Sequence, residues 1–561
     1  MDTIRLISTG ILFLLSTWFL QAGAQGSIPV SSSVDIFLAT DRNLYVAGEF
    51  VHFTGKVLKP SGMQGPESQV MYVELITPDG KNIVGNKFEI QMHEATGCVA
   101  IPTETVTGIY FLRAYTREMR NQGPGGYAHC LIKIVNFRKE GISVASEESM
   151  EVPIENGFEP GSDEFLVTTD RKEFLPGEMV HVEIKSNPSY VAASGHLSVS
   201  VIPAATYSGY PTVKPQVNSY LLAKDFLPET RGVTISGEVK EVTTGRSLAN
   251  ARVSLTLIGA GRDFMAVQTD STGHFLFTLP AYKGSRELFL SAEHKTTSAC
   301  QVFVDYDYCT LPVHVPAPKF LLSREERDAV LAMSRNLQIR QHFEDDSIRC
   351  VGQQGIPETS FYGEPSAVLK FDAFIQLPTL EEYFNELPTP VKVRRKAGRK
   401  YFKVTGSQTE MNFFEPLVLV DWVAVHDPDK ILAALPSTID RIEVITVPYV
   451  KGDITYGGII SILTKKGNFG GIDLPSSGIF LNYQLLSDSC PCEIPMSPEA
   501  GKPDARNTLY WNPGLQYNRD VPVSFSFRTP DTPGAYQIVI QGLDAKGEWV
   551  RSTAQIVVKG Q

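Results

Sequence analysis

Hydrophobic and polar residues alternate with a period near two along much of the chain. VDIFLATD (Val34–Asp41), YVELITPDG (Tyr72–Gly80), GIYFLRAYT (Gly108–Thr116), HVEIKS (His181–Ser186) and HLSVSVIP (His196–Pro203) all have this form. Each is bounded by Gly, Pro or Asp, so the pattern predicts short half-buried strands in β-sandwiches. A helical period replaces it from Arg324 to His342, where Val330, Met333 and Leu337 share one face behind a Ser323/Glu326 capping box. From 366 to 467 the two periods mix. LPTLEEYFNEL and DKILAALPSTI predict short helices, and EPLVLVDWVAV, DRIEVITVP and GGIISILTKKG predict strands. KVRRKAGRKYFKV predicts a hairpin turning at Ala397-Gly398, and DARNTLYWNPGL, VPVSFSFRTP and AQIVVKG predict a last β unit. The expected fold class is mainly β, with tandem Ig-like sandwiches and one small α+β unit.

One sentence of sequence occurs twice: TDRNLYVAGEFVHF from Thr40 and TDRKEFLPGEMVHV from Thr169. A strand, a turn dipeptide at Gly48-Glu49 or Gly177-Glu178, and a second strand fit both copies, so two related sandwiches are predicted. This opening resembles macroglobulin-type domains. The reactive Cys-Gly-Glu-Gln run of thioester macroglobulins is absent from the sequence, so covalent protease trapping is not implied. From Gly237 the chain resembles the carboxypeptidase regulatory-like domain, through Gly237, Gly245, Val253, Thr269, Asp270, Gly273 and Phe275. That resemblance implies a small sandwich without catalytic residues, Gly273 in a tight turn and Phe275 in the core. Leu417–Asp421, Asp440–Val444 and Tyr456–Lys466 are similar to the plug domain of TonB-dependent receptors, with Trp422 where that family has glycine. A receptor barrel of roughly 22 strands needs several hundred residues, more than follow Gly467, so a plug-like unit without its own barrel is expected.

These readings divide the chain into an export signal (1–24), macroglobulin-like sandwiches (30–137 and 138–229) and a regulatory-like sandwich (230–306). A linker with a helix (307–365), the plug-like unit (366–470), a second linker (471–502) and a C-terminal macroglobulin-like unit (503–561) follow. The signal rests on Arg5, the apolar run Ile11–Leu20 and the small residues Ala22-Gly23-Ala24.

A net charge of −11 argues against broad nucleic-acid binding. The ten histidines show no metal-binding spacing, and no nucleotide loop or nucleophile elbow occurs. No catalytic, cofactor or metal residue is therefore assigned, and no enzyme activity or cofactor is expected. Seven cysteines in an exported chain permit disulfides. Cys98 and Cys130 form a bridge or are small core residues, and both readings stand at this point. His52 and His181 recur at one repeat position, as residues with a repeated structural role do.

One cluster breaks the acidic balance: Lys392, Arg394, Arg395, Lys396, Arg399, Lys400 and Lys403 lie on the predicted hairpin with no acid among them. It reads either as a solvated hairpin guarded by charge or as a contact for anionic lipid or an acidic partner barrel. The leading functional reading is a non-enzymatic accessory protein of the outer membrane, docking on an outer-membrane protein complex or β-barrel partner through its plug-like and sandwich modules. The alternatives are a degenerate TonB-dependent receptor fragment that binds a small ligand, and a thioester-free macroglobulin-like protease inhibitor. For the last, Leu474–Pro503 is the candidate bait segment.

Overall fold

The computed structural model describes residues 34–59, 66–139, 165–186, 194–207, 215, 225–259, 263–295, 299–343, 360–387, 389–396, 398–406, 408–487, 494, 503–518, 520–543 and 549–560. The first stretch carries β1 (Asp35–Thr40), β2 (Leu44–Val46), β3 (Phe50–Leu58), β4 (Val70–Ile76), β5 (Asn82–Glu89), β6 (Glu94–Ala100), β7 (Gly108–Thr116) and β8 (Ala128–Val135). Next come β9 (Phe165–Thr169), β10 (Glu173–Phe174), β11 (Met179–Ser186) and β12 (Ser194–Pro203). A third group holds β13 (Thr234–Glu241), β14 (Arg252–Ile258), β15 (Phe264–Gln268), β16 (His274–Thr278), β17 (Ser285–Glu293) and β18 (Cys300–Val304), followed by the helix α1 (Arg324–Phe343). The mixed region has β19 (Ala367–Lys370), α2 (Leu380–Glu386), β20 (Val391–Lys396), β21 (Arg399–Val404), β22 (Leu417–Val420), β23 (Val423–Ala424) and α3 (Pro428–Leu432). It continues through β24 (Ile439–Ile445), β25 (Tyr449–Lys451), β26 (Ile454–Tyr456) and β27 (Ile459–Thr464). The chain closes with β28 (Ile479–Gln484), β29 (Tyr510–Asn518), β30 (Val523–Arg528), β31 (Gly534–Leu543) and β32 (Trp549–Val558). The protein is mainly β.

The first sandwich packs the sheet β1-β3-β6 on the sheet β2-β8-β7-β4-β5. The second is assembled from two distant segments, β9 to β12 and β29 to β32, as β9-β11-β30 on β10-β32-β31-β12-β29. Residues expected to form two units, 138–229 and 503–561, thus supply one sandwich. Neither half can bury its inner face alone: Val199 and Val201 of β12 are buried together with Ile538 and Ile540 of β31. The third sandwich is β16-β13-β18 on β15-β14-β17-β28. Its last strand comes from residues expected to be linker, pairing Leu290 with Ile479 and Ser285 with Gln484. Between β18 and β28 lies the α+β unit, with the sheet β19-β24-β27-β22-β23 and the hairpins β20-β21 and β25-β26. The order is nested: the α+β unit interrupts the third sandwich, which interrupts the second.

Burial departs from simple alternation in the first sandwich. Every residue of β4 and β8 is buried, because the outer face of that sheet packs on other parts of the chain. Residues of the first and third sandwiches share one continuous apolar cluster. The polar positions of the alternation therefore enter an interdomain seam. Lys87 Nζ donates to Asp307 Oδ2 (2.6 Å), Tyr483 Oη (3.1 Å) and the Gln484 carbonyl (2.8 Å). Arg117 donates to the Thr234 carbonyl (3.2 Å) and Ser236 Oγ (2.9 Å).

The stretch expected to be a single strand at 415–425 is a hairpin. β22 and β23 pair Val420 with Val423 across the two-residue turn Asp421-Trp422, with φ of 44° and 76°. Such a turn demands positive φ at both central residues, which suits glycine at the second. Asp421 holds its place by accepting from the Thr464 amide (2.8 Å), Thr464 Oγ1 (2.6 Å) and the Phe469 amide (2.8 Å). Trp422 is held by contacts with the rest of the protein. Its ring stacks on Tyr362 at 5.6 Å and meets Phe361 at 6.1 Å, and its carbonyl accepts from Thr256 Oγ1 of the third sandwich (3.2 Å). Trp422→Gly would relieve about 1 kcal/mol of backbone strain. It would also remove a buried aromatic worth about 3–5 kcal/mol. We expect a net loss of about 2–4 kcal/mol in urea unfolding, and a gain in stability would show that strain dominates.

Candidate functional site

The duplicated sequence builds one local device twice. The Asp41 and Asp170 carboxylates accept the amides of His52 (3.1 Å) and His181 (3.4 Å). Glu49 and Glu178 accept the amides of Val46 and Leu175, both at 2.8 Å. The Thr40 and Thr169 hydroxyls donate to the carbonyls of Arg42 (2.9 Å) and Arg171 (2.7 Å). Each set ties the turn to the strands on either side. Both histidines contribute their backbone amides at this position, and the His181 ring also meets Ser526 Oγ at 2.7 Å through Nδ1. Gly48 and Gly177 have φ of 95° and 76°, which explains glycine in both copies.

The surroundings of the two copies differ. In the first, Arg42 pairs with Glu49 at 2.8 Å, and both are almost fully buried. Asp41 accepts from Thr508 Oγ1 (2.6 Å), and Glu49 from Asn507 Nδ2 (2.6 Å). Arg42 Nη1 lies 2.9 Å from Met333 Sδ of α1. In the second, Arg171 and Glu178 are 3.4 Å apart at the surface, with side chains 54% and 31% exposed. The capping box predicted for α1 is present, with the Ser323 amide on Glu326 Oε2 (2.9 Å) and the Glu326 amide on Ser323 Oγ (3.1 Å). Val330, Met333 and Leu337 are its buried face.

The seven hairpin cations divide by register. β20 and β21 pair Lys392 with Lys403, Arg394 with Tyr401, Arg395 with Lys400 and Lys396 with Arg399. Residues directly opposite share a face, so Arg395 and Lys400 lie on the side of the buried Val391, Phe402 and Val404. Both reach Glu381 of α2, at 3.3 and 2.9 Å. These cations hold the Glu381 carboxyl below its usual range, the hydrogen bond from Lys400 contributing most. Lys392 Nζ donates to the carbonyls of Phe384 (3.2 Å) and Asn385 (3.4 Å) at the end of α2. Arg394, Lys396, Arg399 and Lys403 remain on the opposite face with Tyr401, and no hydrogen bond or ion pair to another described residue holds their side chains. Tyr401, 37% exposed, was not among the residues singled out from the sequence. Counting alternate positions back from the Ala397-Gly398 turn would have placed it there.

The Cys98–Cys130 bridge is not formed. Cys130 is a free, buried thiol on β8, 3.6 Å from Thr40 Oγ1, and burial pushes its pKa up to about 11. Cys130 lies in the core of the first sandwich, whereas Cys98 of β6 stands opposite His52, on the face turned away from the core residues Val51, Phe53, Ala95 and Val99. Cys98 is disulfide-bonded, and its partner lies outside the described residues. Cys490 and Cys492 also lie outside them.

A cleft of about 210 Å³ separates the third sandwich from the α+β unit, lined by Glu293, His294, Cys300, His426, Lys430 and Ser477 among others. Glu293 Oε1 takes Arg252 Nη1 at 2.8 Å, and His426 Nδ1 lies 3.5 Å away. The Cys300 thiol and the Ser477 hydroxyl both donate to the Ala292 carbonyl, at 3.1 and 2.6 Å. Burial raises the thiol pKa and lowers that of His426. Of these contacts only His426–Glu293 crosses between the two units, and the raised Cys300 thiol is not a thiolate at neutral pH. Of the candidate bait segment, 479–484 lies within β28, while 488–493 and 495–502 are outside the described residues.

No family model matches the chain, and no curated protein matches it. Among solved structures, it is similar to trypsin-activated α2-macroglobulin from Escherichia coli, with 12% identity and a TM-score of 0.24 over 94% of this chain and 42% of that one. The native conformation of the E. coli protein gives 9%, a TM-score of 0.24, 95% and 40%. The adhesin InvE of Yersinia pseudotuberculosis gives 11%, a TM-score of 0.13, 49% and 59%. The chain spans about two fifths of the length of those E. coli macroglobulin chains. At these values the likeness carries no argument about fold or activity.

Proposed function

We propose that this chain is a non-enzymatic docking protein of the outer membrane, which engages an acidic surface of a membrane-protein partner through the outer face of the β20-β21 hairpin. The observation behind this reading is the placement of charge. Lys392 faces Lys403, and Lys396 faces Arg399, directly across the ladder. Like charges so placed weaken a hairpin by a few tenths of a kcal/mol per pair. Two arginines on that face suit bidentate recognition of carboxylates. The face carries one aromatic and no aliphatic side chain, which favours an acidic protein over insertion among lipid chains. The sandwiches serve as the rigid mount, since the α+β unit is fixed to the third of them through Trp422, Lys451–Asp263 (3.1 Å) and His426–Glu293.

The test compares Arg394→Ser/Lys396→Ser/Arg399→Ser/Lys403→Ser with Arg395→Ser/Lys400→Ser. The first set strips the outer face, and the second breaks the inner pairings with Glu381 and Asp429. Capture of a barrel protein from detergent-solubilised outer membrane should fall at least about tenfold for the first set, persist for the second and weaken with salt. Equal capture by both variants would remove the hairpin from the interface. Binding of the unchanged protein to protein-free anionic vesicles, lost in the first set, would reassign the face to lipid.

A further inference from the structure

The β20-β21 hairpin forms a sheet of its own, so both of its edges are unpaired among the described residues. The Thr405 amide donates to the Pro390 carbonyl directly across the ladder, at 2.7 Å. Bonded and non-bonded pairs alternate along an antiparallel ladder. Lys392–Lys403, Arg394–Tyr401 and Lys396–Arg399 are therefore bonded pairs, with their backbone groups turned between the strands. The amides and carbonyls of Lys400, Phe402 and Val404 turn the other way, out of the β21 edge, and no described residue outside the hairpin hydrogen-bonds to them. The β20 edge is spanned by the Lys392 side chain, whose Nζ reaches the Phe384 and Asn385 carbonyls at the end of α2.

Cations on a strand edge ordinarily discourage a further strand. Here the guard discriminates. Beside the β21 edge, Arg399 and Lys403 stand on the outer face with the exposed Tyr401 between them, and no acidic residue occurs from Lys392 to Lys403. A basic strand laid along this edge is repelled, and a neutral one leaves both cations unpaired. A strand with carboxylates opposite Arg399 and Lys403 neutralises both, and arginine takes a carboxylate through two parallel bonds. Opposite Tyr401, a β-branched or aromatic side chain completes the face.

We propose that the hairpin's partner presents an extended acidic strand, which adds to the β21 edge. Its successive alternate residues are acidic, then β-branched or aromatic, then acidic, matching Arg399, Tyr401 and Lys403. Main-chain bonds to Lys400 and Phe402 hold that strand, and the outer-face side chains select it. This rests on the reading of the hairpin as the docking surface, and adds the form of what docks there: a segment of backbone, and not merely a negative surface.

Peptides test this on the full chain, by fluorescence anisotropy at low salt. The probe is a labelled threonine-rich peptide with glutamate, valine and glutamate at successive alternate positions. One control carries N-methyl groups on the threonines between them, which keeps the charge and removes the main-chain donors. Another places the glutamates side by side, which turns one of them to the far face. The probe should bind, and each control should bind at least about tenfold more weakly. Arg399→Ser/Lys403→Ser should weaken the probe by at least about tenfold as well. A probe that does not bind, controls that bind as well as the probe, or binding indifferent to the double change would each overturn strand addition. The docking reading would still stand in that event if barrel capture depends on the outer face, so the two fail separately.

Discussion

Arg113→Ala is expected to destabilise the protein by about 3–5 kcal/mol, the largest loss among the substitutions considered. Arg113 and Glu74 face each other across β7 and β4, and both side chains are 0% exposed. Nε and Nη2 donate to Glu74 Oε2 at 2.9 and 2.7 Å, Nη2 also reaches the Cys309 carbonyl at 3.3 Å, and Asn82 Nδ2 serves Glu74 Oε1 at 2.6 Å. Alanine leaves the carboxylate buried with only the neutral donors Asn82 and Tyr115 beside it. The cost is that of an uncompensated charge in the seam, and it exceeds what the intact pair contributes. The double change Glu74→Leu/Arg113→Met should accordingly cost less than Arg113→Ala alone. Urea unfolding followed by circular dichroism checks both, and a double variant worse than the single would show that the pair itself is strongly stabilising.

Glu229 should make stability depend on pH near neutrality. It is fully buried where the chain enters the third sandwich, accepting from the Thr234 amide (2.6 Å) and Tyr72 Oη (3.0 Å). Burial raises its pKa from 4.5 to about 7, against the opposing pull of Arg117 and the hydrogen bonds. A carboxyl that binds its proton more tightly when folded contributes stability that is fully present below the unfolded value. That contribution is lost as the pH rises through the folded value. A shift of this size corresponds to about 3 kcal/mol between about pH 4.5 and about pH 7. Glu229→Gln keeps the shape and cannot ionise, so it should match the parent at about pH 4 and unfold at higher urea than the parent at about pH 8. Parallel curves at the two pH values would place the carboxyl's titration elsewhere.

The strands and their turns were legible because they are specified locally. Alternation marked β4, β7 and β12, and the repeated Thr-Asp-Arg and Gly-Glu residues marked the two turn devices, since each contacts groups within a dozen positions. The partners of the edges were not legible. That β31 completes the sheet of β12, or that β28 extends that of β17, depends on which edges remain open after nearer strands have paired, and no period encodes that. The polar half of an alternating strand looks the same whether it faces water or another domain, so Glu74, Lys87 and Arg113 read as ordinary surface residues. The hairpin cations were found as a cluster, and only the register separated those spent on Glu381 from those left outward. Trp422 was noticed as a departure from glycine, but the aromatic neighbours that hold it arrive from Phe361 and Tyr362, well before it in the chain.

The nested strand order has a consequence for biosynthesis. A ribosome releases β9 to β12 well before the strands that close their sheets, β29 to β32, which follow the third sandwich and the α+β unit in the chain. During that interval the half-made domain must wait with apolar faces bare while two other units form. Nascent chains stopped just before Tyr510 should therefore bind chaperones and be cut by protease within 165–203, and release of the remaining residues should abolish both.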